Sequence, residues 1–403
     1  MNSLFKDFSL SAVVAGFIAT LISYAGPLVI IFQAAKAAGL PEEVLASWVW
    51  AISIGSGVLG IVLSLRFKVP VIIAWSAPGS ALLVALLPGI SLNEAVGAYL
   101  VASALILLVG LCGIFDKVIG KLPAAISAAM LAGILFSFGT QLFRSMADKP
   151  LLVGAMFATY LLFKRVLPRY AVLAVLLVGC GISLGAGEIQ QSALVIGLAT
   201  PHWISPAFSW HGLFNVALPL VVVALTGQFV PGIAVLRNDG YQTPASPIIA
   251  STGLASLVLA PFGCHGLTLA AITAAICTGR EAHADPAKRY MAGVMGGVFY
   301  LVLGIFGATL VSLFSAFPRE LIAALAGLAL FAAIGGALSG AMAVPHDREA
   351  ALITFLVTAS GMSLFGLSAA FWGLIFGLAA HAVLTLRRPR AAAPAAERVQ
   401  TRN

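Results

Sequence analysis

The chain contains few charged residues. Only 9% of its 403 residues are Asp, Glu, Lys or Arg, whereas 61% are hydrophobic and the mean hydropathy is +1.07. A soluble domain carries about a quarter charged residues, so this composition excludes a soluble globular fold. Apolar runs near the roughly 20 residues that a straight helix needs to cross a bilayer follow one another along the chain. The sequence therefore predicts an all-α polytopic membrane protein.

Motifs of catalysis, metal binding and disulfide bonding are also absent. The chain has no GxSxG, HExxH or Walker motif, and acidic pairs such as Glu42 and Glu43 fall in predicted loops. Its four cysteines lie in apolar runs without CxxC spacing, which is typical of small buried thiols. His202 and His211 have no Cys or carboxylate partner at the spacing of a metal site. We therefore expect neither an enzyme nor a bound metal or cofactor.

The 22 Lys and Arg residues are distributed unevenly between the two sides of the predicted membrane. With the N-terminus inside, only Lys36, Arg144, Lys149 and Arg319 fall outside. This positive-inside bias predicts a protein of the bacterial cytoplasmic (inner) membrane with both termini in the cytoplasm. It also explains the pI near 9.5 without a nucleic-acid partner. The Ala/Pro/Arg-rich tail, residues 388–403, is predicted to be disordered and held near anionic membrane lipid.

Charges and turn residues divide the chain into about fourteen apolar segments, which we compare with the roughly 20 residues of a straight span. Some of them, notably 149–163 and 264–279, are too short to cross alone. The predicted spans are 9–35, 44–65, 70–88, 93–115, 122–142, 149–163, 169–187, 212–236, 246–262, 264–279, 289–316, 320–342, 350–366 and 368–386.

The two halves of the chain resemble each other. Phe-Ser opens each half, at residues 8–9 and 208–209, and Gly39 and Gly240 end the first span of each. Seven spans per half is an odd number, so the second copy must enter the membrane upside down, as an inverted repeat. Chance similarity between Leu/Ala/Gly-rich runs is the alternative. We predict a first seven-span repeat at residues 1–190, a linker at 191–211, a second, inverted repeat at 212–387 and the tail at 388–403.

Two apolar segments, the third and tenth spans, are interrupted at matching places. Residues 75–80 (WSAPGS) interrupt one and residues 262–268 (FGCHGLT) interrupt the other. Segments broken by Gly and Pro in corresponding positions of a repeated membrane protein indicate a substrate site near the bilayer midplane. Lipid cannot satisfy freed backbone groups, so such a break must face protein or a water-filled cavity. The pattern favours a carrier.

The breaks predict an anion site built from backbone dipoles. A half-helix that begins after each break leaves N–H groups free, and two such N-termini facing each other attract negative charge. Nearby hydroxyls can donate further hydrogen bonds. The alternative is that Gly and Pro only permit close helix packing. The residues predicted to bind substrate here are Ser76, Gly79 and Ser80 in the first break and Gly266, Leu267 and Thr268 in the second.

Spans one and eight, which cross beside the breaks, add further substrate-binding candidates. Gln228 in mid-membrane is costly unless it is hydrogen-bonded, so it should meet either another helix or the substrate. Tyr24 and Phe229 are candidates to stack on an aromatic substrate, and Trp75 to close one end of the site. Helix packing is the alternative for each aromatic residue.

His265 is the titratable residue of the second break. An ionisable group inside a membrane segment is a functional candidate, and an imidazole changes charge near neutral pH. We therefore consider His265 a proton-coupling candidate; the alternative is a neutral histidine hydrogen-bonded inside the bundle. His381 is expected near the cytoplasmic interface. Glu94 is expected at a helix start, where a carboxylate complements the helix dipole.

Several segments together resemble the benzoate:proton symporter (BenE) family. The similarity covers nearly the whole chain, from Phe8 to about Leu386. The segments that carry it are residues 69–83 (VPVIIAWSAPGSALL), 269–277 (LAAITAAIC), 281–283 (EAH), 358–361 (TASG) and 369–374 (AAFWGL).

This resemblance implies the fold of uracil and sulfate permeases, with seven plus seven inverted spans. In that fold spans 1–4 and 8–11 form a core domain, spans 5–7 and 12–14 form a gate domain, and substrate lies between half-spans three and ten. The proteins are often homodimers. Uracil permeases use acidic residues in spans eight and ten, where this chain has Gln228 and His265. The loss of carboxylates suits an anionic substrate, and the proton is carried by His265 or enters paired with substrate.

The leading hypothesis is a secondary active transporter that moves benzoate or a related aromatic carboxylate inward with a proton, by alternating access. A symporter or exchanger of another organic or inorganic anion is the first alternative. An anion channel requires a continuous polar lining, which the sparse polar residues of the spans disfavour.

Overall fold

A computed structural model gives the fold of most of the chain. It describes residues 7–115, 117, 123–189, 196–271, 273–280, 282–362, 364–365 and 367–386. The predicted tail at 388–403 and residues 191–195 of the predicted linker lie outside this part.

Helices make up most of the described residues, and their bounds follow the predicted spans closely. Several begin where the sequence supplies a cap: the hydroxyl of Ser9 accepts a hydrogen bond from the Ala12 N–H, and Ser91 and Glu94 form a capping box, the helix-start role expected for Glu94. The helices are α1 (Leu10–Ala25), α2 (Pro27–Ala37), α3 (Glu42–Phe67), α4 (Ala77–Leu86), α5 (Leu92–Leu111), α6 (Ala124–Asp148), α7 (Pro150–Val166), α8 (Ala171–Gly185), α9 (Trp210–Arg237), α10 (Ala245–Leu259), α11 (Ala274–Thr278), α12 (Tyr290–Ile305), α13 (Gly307–Ser315), α14 (Arg319–Met342), α15 (Arg348–Ala359) and α16 (Ala369–Leu386).

Within the described residues, seven helices are long and apolar enough to cross a membrane, or up to eight if a bent pair counts as one span. The bent pair, Pro286–Ile305 and Gly307–Ser315, turns by 69°. The structure thus confirms a mostly helical protein with several membrane spans, while the count of about fourteen, the inverted repeat and the core and gate domains stay predictions. The seven helices are Leu10–Ala37, Glu42–Phe67, Leu92–Leu111, Ala124–Asp148, Trp210–Arg237, Ala245–Phe262 and Arg319–Met342.

A short β-ladder, which the all-α prediction missed, joins the two broken segments. Strands β1 (Ile73–Trp75) and β2 (Leu267–Leu269) pair antiparallel, and Trp75 lies opposite Leu267. Lys68 ends α3 in a left-handed conformation (φ 54°). A tight turn at Pro70, in which the Val71 N–H donates to the Val69 carbonyl (2.8 Å), then leads to β1. Extended backbone inside a membrane needs hydrogen-bond partners, and each break supplies them to the other.

The helices pack in two sets, and the strands contact α3 and α10 of the first set. In one set α12 packs against α1 and α3, and α10 packs against α5; in the other α14 packs along α6, and α15 packs against α6 and α16. Small residues allow the close approach: a Cβ on Gly16 would lie 2.6 Å from the carbonyl oxygen of Ala292. Helix α4 packs against α6 of the second set and against α2, which itself contacts α1 and α14.

Helix α9 departs from regular α-helix at two places. Residues Leu213–Ala217 and Leu225–Phe229 form π-helical turns within an otherwise continuous helix. Such π-turns frequently lie at functional sites because they shift the side chains that follow them. The second turn contains Gln228 and contacts β2.

Candidate functional site

A cavity of about 560 Å³ lies between the two sets of helices. This volume falls within the roughly 300–1,000 Å³ of small-molecule sites. Its walls come from β1, the start of α4, the π-turn of α9, the segment after β2, and one face each of α6 and α14. The lining residues are Ser23, Pro27, Ala74, Trp75, Ala77, Pro78, Ala124, Ser127, Ala128, Leu131, Thr226, Gly227, Gln228, Val230, Pro231, Ala270, Ala271, Thr273, Ala329, Leu330, Ala332, Ala333, Gly336 and Ala337.

Trp75 is the large aromatic residue of the cavity wall. Its side chain is only 2% exposed, and its ring meets Tyr24 edge-on at 5.4 Å and Tyr300 at 6.0 Å between centroids. The indole N–H has no hydrogen-bond partner among the described residues. Other buried donors among the described residues, such as the indole N–H of Trp48, also lack a partner, and Trp75 differs from Trp48 in that it lines the cavity.

The first break places the start of α4 at the cavity. Ala77 and Pro78 line it, whereas Ser76, Gly79 and Ser80 lie behind them, buried. The prediction of free N–H groups at Gly79 and Ser80 is wrong. The Gly79 N–H donates to the Ser76 hydroxyl (3.0 Å), and the Ser80 N–H donates to the Ser76 carbonyl (2.8 Å). Ala77 opens the helix, so its N–H is among those that an α-helix leaves without an intrahelical partner.

The second break differs from the expected half-helix start. Leu267 and Thr268 lie in β2 and α11 begins only at Ala274, because the chain first pairs with β1. The Leu267 N–H donates to the Ser256 hydroxyl (2.8 Å), and the Gly266 carbonyl accepts from the Ser76 N–H (3.2 Å). The predicted free N–H of Leu267 is therefore engaged. At this end of the site Ala270, Ala271 and Thr273 line the cavity instead.

Gln228, Phe229 and Tyr24, all predicted to bind substrate, differ in their positions relative to the cavity. Gln228 lines the cavity, and its amide makes no hydrogen bond to another described residue. Phe229 is fully buried and is not among the lining residues. Tyr24 stands behind Trp75 and donates its hydroxyl hydrogen to Ser53, so it supports the cavity wall without lining it.

His265 connects the two breaks. Its Nε2 lies 2.9 Å from the hydroxyl oxygen of Ser80, and its ring packs edge-on against Tyr99. The side chain is 3% exposed and does not line the cavity. Its Nδ1 has no hydrogen-bond partner among the described residues. His265 therefore contacts α4, whose first residues line the cavity.

Several lining residues were missed by the sequence reasoning. The hydroxyls of Ser23 and Thr226 already donate to carbonyls within their own helices, whereas the buried hydroxyl of Ser127 has no partner in the described part of the chain. The small-residue face of α14 was also missed, because an apolar stripe on a membrane helix gives the same pattern whether it meets lipid, protein or a cavity. Ser23 precedes the predicted residue Tyr24, and Thr226 lies two residues before Gln228. This proximity in the sequence could have identified both as lining residues.

The cavity contains no charged side chain among its lining residues. The described residues also include no group of three or more His, Cys, Asp or Glu side chains able to hold a metal ion. The polar groups at the cavity are an indole N–H, an amide, hydroxyls and a helix start. The Trp75 indole, the Gln228 amide and the Ser127 hydroxyl can donate hydrogen bonds to a ligand, whereas the hydroxyls of Ser23 and Thr226 already donate within their helices. No carboxylate lines the cavity to repel an anion.

A profile of the benzoate membrane transport protein family (BenE) matches residues 6–383. The chain belongs to this family. Two curated relatives agree with the assignment and are similar along nearly their whole lengths. One is a benzoate membrane transport protein of Acinetobacter baylyi, 51% identical over 95% of this chain and 98% of its own. The other is the inner membrane protein YdcO of Escherichia coli, 44% identical over 92% of this chain and 95% of its own.

Solved structures place this benzoate-family chain in a known transporter fold. SLC26A9 aligns with a TM-score of 0.63 at 14% identity, over 95% of this chain and 67% of its own. The transmembrane domain of the cyanobacterial bicarbonate transporter BicA aligns with a TM-score of 0.58 at 14% identity, over 92% of this chain and 97% of its own. At this identity the likeness concerns the fold alone. It agrees with the sulfate-permease-like fold that the family resemblance implied.

Proposed function

We propose that this chain is a secondary active transporter that takes up benzoate or a related aromatic carboxylate together with a proton. The observation that carries the proposal is the cavity of about 560 Å³, with hydrogen-bond donors on one wall, small apolar residues on another and no charged lining residue. An aromatic carboxylate has the matching two-sided character. The benzoate transport named for the family and for the Acinetobacter baylyi relative supports the same substrate class.

The carboxylate is proposed to bind at the wall formed by Trp75, Gln228 and the start of α4. The unpartnered indole N–H of Trp75 and the amide of Gln228 are donors, and the positive end of the α4 dipole favours an anion. Hydrogen bonds to a charged group are worth about 1.5–3 kcal/mol each, so a few such donors can hold an anion without a cationic side chain.

Alternating access is supported by the position of three cavities along the first span, Leu10–Ala37. One of about 680 Å³ touches Leu10 at the start of the span, and one of about 810 Å³ touches Lys36 near its end. The proposed site touches Ser23 between them. We propose that a core domain (spans 1–4 and 8–11) moves against a gate domain (spans 5–7 and 12–14), so that the central cavity joins one outer cavity at a time.

Two routes are proposed for the proton. In the first, His265 takes it up and acts through its contact with Ser80 on α4, since the imidazole itself does not line the cavity. Tyr99 and Cys264 are the other titratable groups beside it. In the second, the proton enters with the substrate as the neutral acid. The two routes differ in one result, because only the first requires His265 for accumulation driven by a pH gradient.

Uptake by purified protein in liposomes tests the proposal. Labelled benzoate should accumulate when an inward proton gradient is imposed, and the accumulation should collapse when the gradient is dissipated. Uptake that is absent, or indifferent to the gradient, contradicts the proposal. Competition by sulfate or bicarbonate stronger than that by aromatic carboxylates would favour the inorganic-anion alternative, and large single-channel currents would favour a channel.

A further inference from the structure

The cavity has a second wall that consists mainly of small apolar side chains, although Leu131 and Leu330 also line it. Helix α14 contributes Ala329, Ala333, Gly336 and Ala337, whose spacing places them on one helical face. Helix α6 contributes Ala124 and Ala128, among others, with the same helical spacing. Large residues on such faces would fill the space, so the size of these side chains sets the width of the cavity.

Gly336 marks open space within this wall. A Cβ built on Gly336 would meet no described atom within 4 Å, although the residue lines the cavity. Its neighbour Gly335 also has no described atom within 4 Å of a Cβ, but it is not a lining residue. The two glycines therefore form a natural pair in which only one faces the proposed site.

Two residues that line the same cavity carry buried polar groups without a hydrogen-bond partner among the described residues. Trp75 is 2% exposed and Ser127 is 3% exposed, and neither the indole N–H nor the hydroxyl has a partner among the described residues. Both side chains line the cavity together with the α14 face. A ligand with an acceptor at one end would give these groups the partners that protein interiors normally provide.

We propose that the α14 face of Ala329, Ala333, Gly336 and Ala337 is the aryl subsite, and that Gly336 determines which ring substituents are accepted. The inference rests on the proposed function and extends it to substrate selectivity. A carboxylate held near Trp75 and Gln228 directs its rigid ring away from the wall that these two residues form. A substituent on the ring then occupies the space that Gly336 leaves open.

Competition binding on the purified full-length protein tests this subsite. The panel is benzoate, 4-methylbenzoate and 4-isopropylbenzoate, measured for the wild type, Gly336→Ala, Gly336→Leu and the matched control Gly335→Leu. Leu and Ala favour a helix over Gly, so loss of folding is not the expected effect. Because one methylene in an apolar pocket is worth about 10- to 200-fold in discrimination, Gly336→Leu should weaken 4-isopropylbenzoate relative to benzoate by about 10-fold or more. Gly336→Ala should shift the ratio less, and Gly335→Leu should leave it unchanged.

The outcomes separate this inference from the proposed function. If the wild type binds no aromatic carboxylate, the proposed function fails and the subsite fails with it. If the wild type binds benzoate but the Gly336 variants keep the wild-type ratio, the aryl subsite is overturned and the function stands. An equal loss of all three ligands in Gly336→Leu, or the same shift in Gly335→Leu, also overturns it.

Discussion

Arg289 holds the carboxyl end of α11 through Thr278. Its Nη1 donates to the Thr278 carbonyl at 2.7 Å, and its Nε donates to the His283 carbonyl at 2.8 Å. The residue is only 6% exposed. The last carbonyls of a helix lack intrahelical partners, and a cation there also complements the helix dipole. Because Thr273 at the other end of α11 lines the cavity, Arg289 fixes one boundary of the proposed site from a distance.

Arg289→Gln should destabilise the protein and slow uptake. Each charge-assisted hydrogen bond that is lost contributes about 1.5–3 kcal/mol, so thermal unfolding in detergent should shift clearly downwards. Arg289→Lys keeps the charge without the planar donor pair, so its unfolding temperature and uptake rate should lie between those of the wild type and Arg289→Gln. The control is Arg280→Gln, since Arg280 is exposed. Wild-type stability and uptake in Arg289→Gln would exclude the anchoring role.

Ser76→Ala should weaken the start of α4 and thereby the site. The Ser76 hydroxyl caps the helix by accepting from the Gly79 N–H, and loss of such a cap costs about 1 kcal/mol. Ser91→Ala removes the comparable cap of α5, which does not line the cavity, and serves as the control. Both variants should unfold at lower temperature, but only Ser76→Ala should lower benzoate affinity. Equal affinity in the two would argue against a role for the start of α4 in binding.

Trp75→Phe removes the indole N–H and keeps an aromatic ring against Tyr24. If the N–H binds the carboxylate, benzoate affinity should fall roughly 10- to 100-fold, as expected for one hydrogen bond to a charged group. Trp203→Phe alters a tryptophan that is 58% exposed and should have no effect. The neutral analogue benzamide should respond less than benzoate to Trp75→Phe. A similar loss for both ligands would assign Trp75 to packing alone.

His265→Ala should impair coupling more than binding if the imidazole carries the proton. Benzoate should still exchange across the membrane at equal concentrations, but a pH gradient should no longer drive its accumulation. The control is His202→Ala, because His202 is exposed and uses only backbone groups in its contacts with Ser47. Unchanged accumulation in His265→Ala would reject this residue as the carrier and favour entry of the proton with substrate.

The sequence predicted the helices well because hydropathy and turn residues are strong local signals. The span predicted at 212–236 is α9 at Trp210–Arg237. The interruption predicted at residues 75–80 is shorter in the structure, because β1 ends at Trp75 and α4 begins at Ala77. The bend between α12 and α13 was missed, since the predicted span 289–316 has no charged residue after Arg289. Local patterning gives no information on such a bend.

The pairing of β1 with β2 could not be read from the sequence. Three-residue strands have no measurable periodicity, and their hydrogen bonds join segments far apart in the chain. Without that pairing, the sequence predicts a half-helix that begins near Gly266. Gln228 and Trp75 were identified as candidates because polar and aromatic residues are conspicuous near a break, whereas Ala333 and Gly336 resemble any other small residue of a membrane helix.

The β1–β2 ladder also sets the order in which this protein can be built. Ala74 and Thr268 are 194 residues apart, so the ribosome must synthesise the entire segment between them before the ladder closes. At about 5–20 residues per second, the first break waits about 10–40 s with part of its backbone unpaired. The substrate site is therefore among the last parts to assemble, and a chain truncated before Leu267 would leave a broken span without its partner.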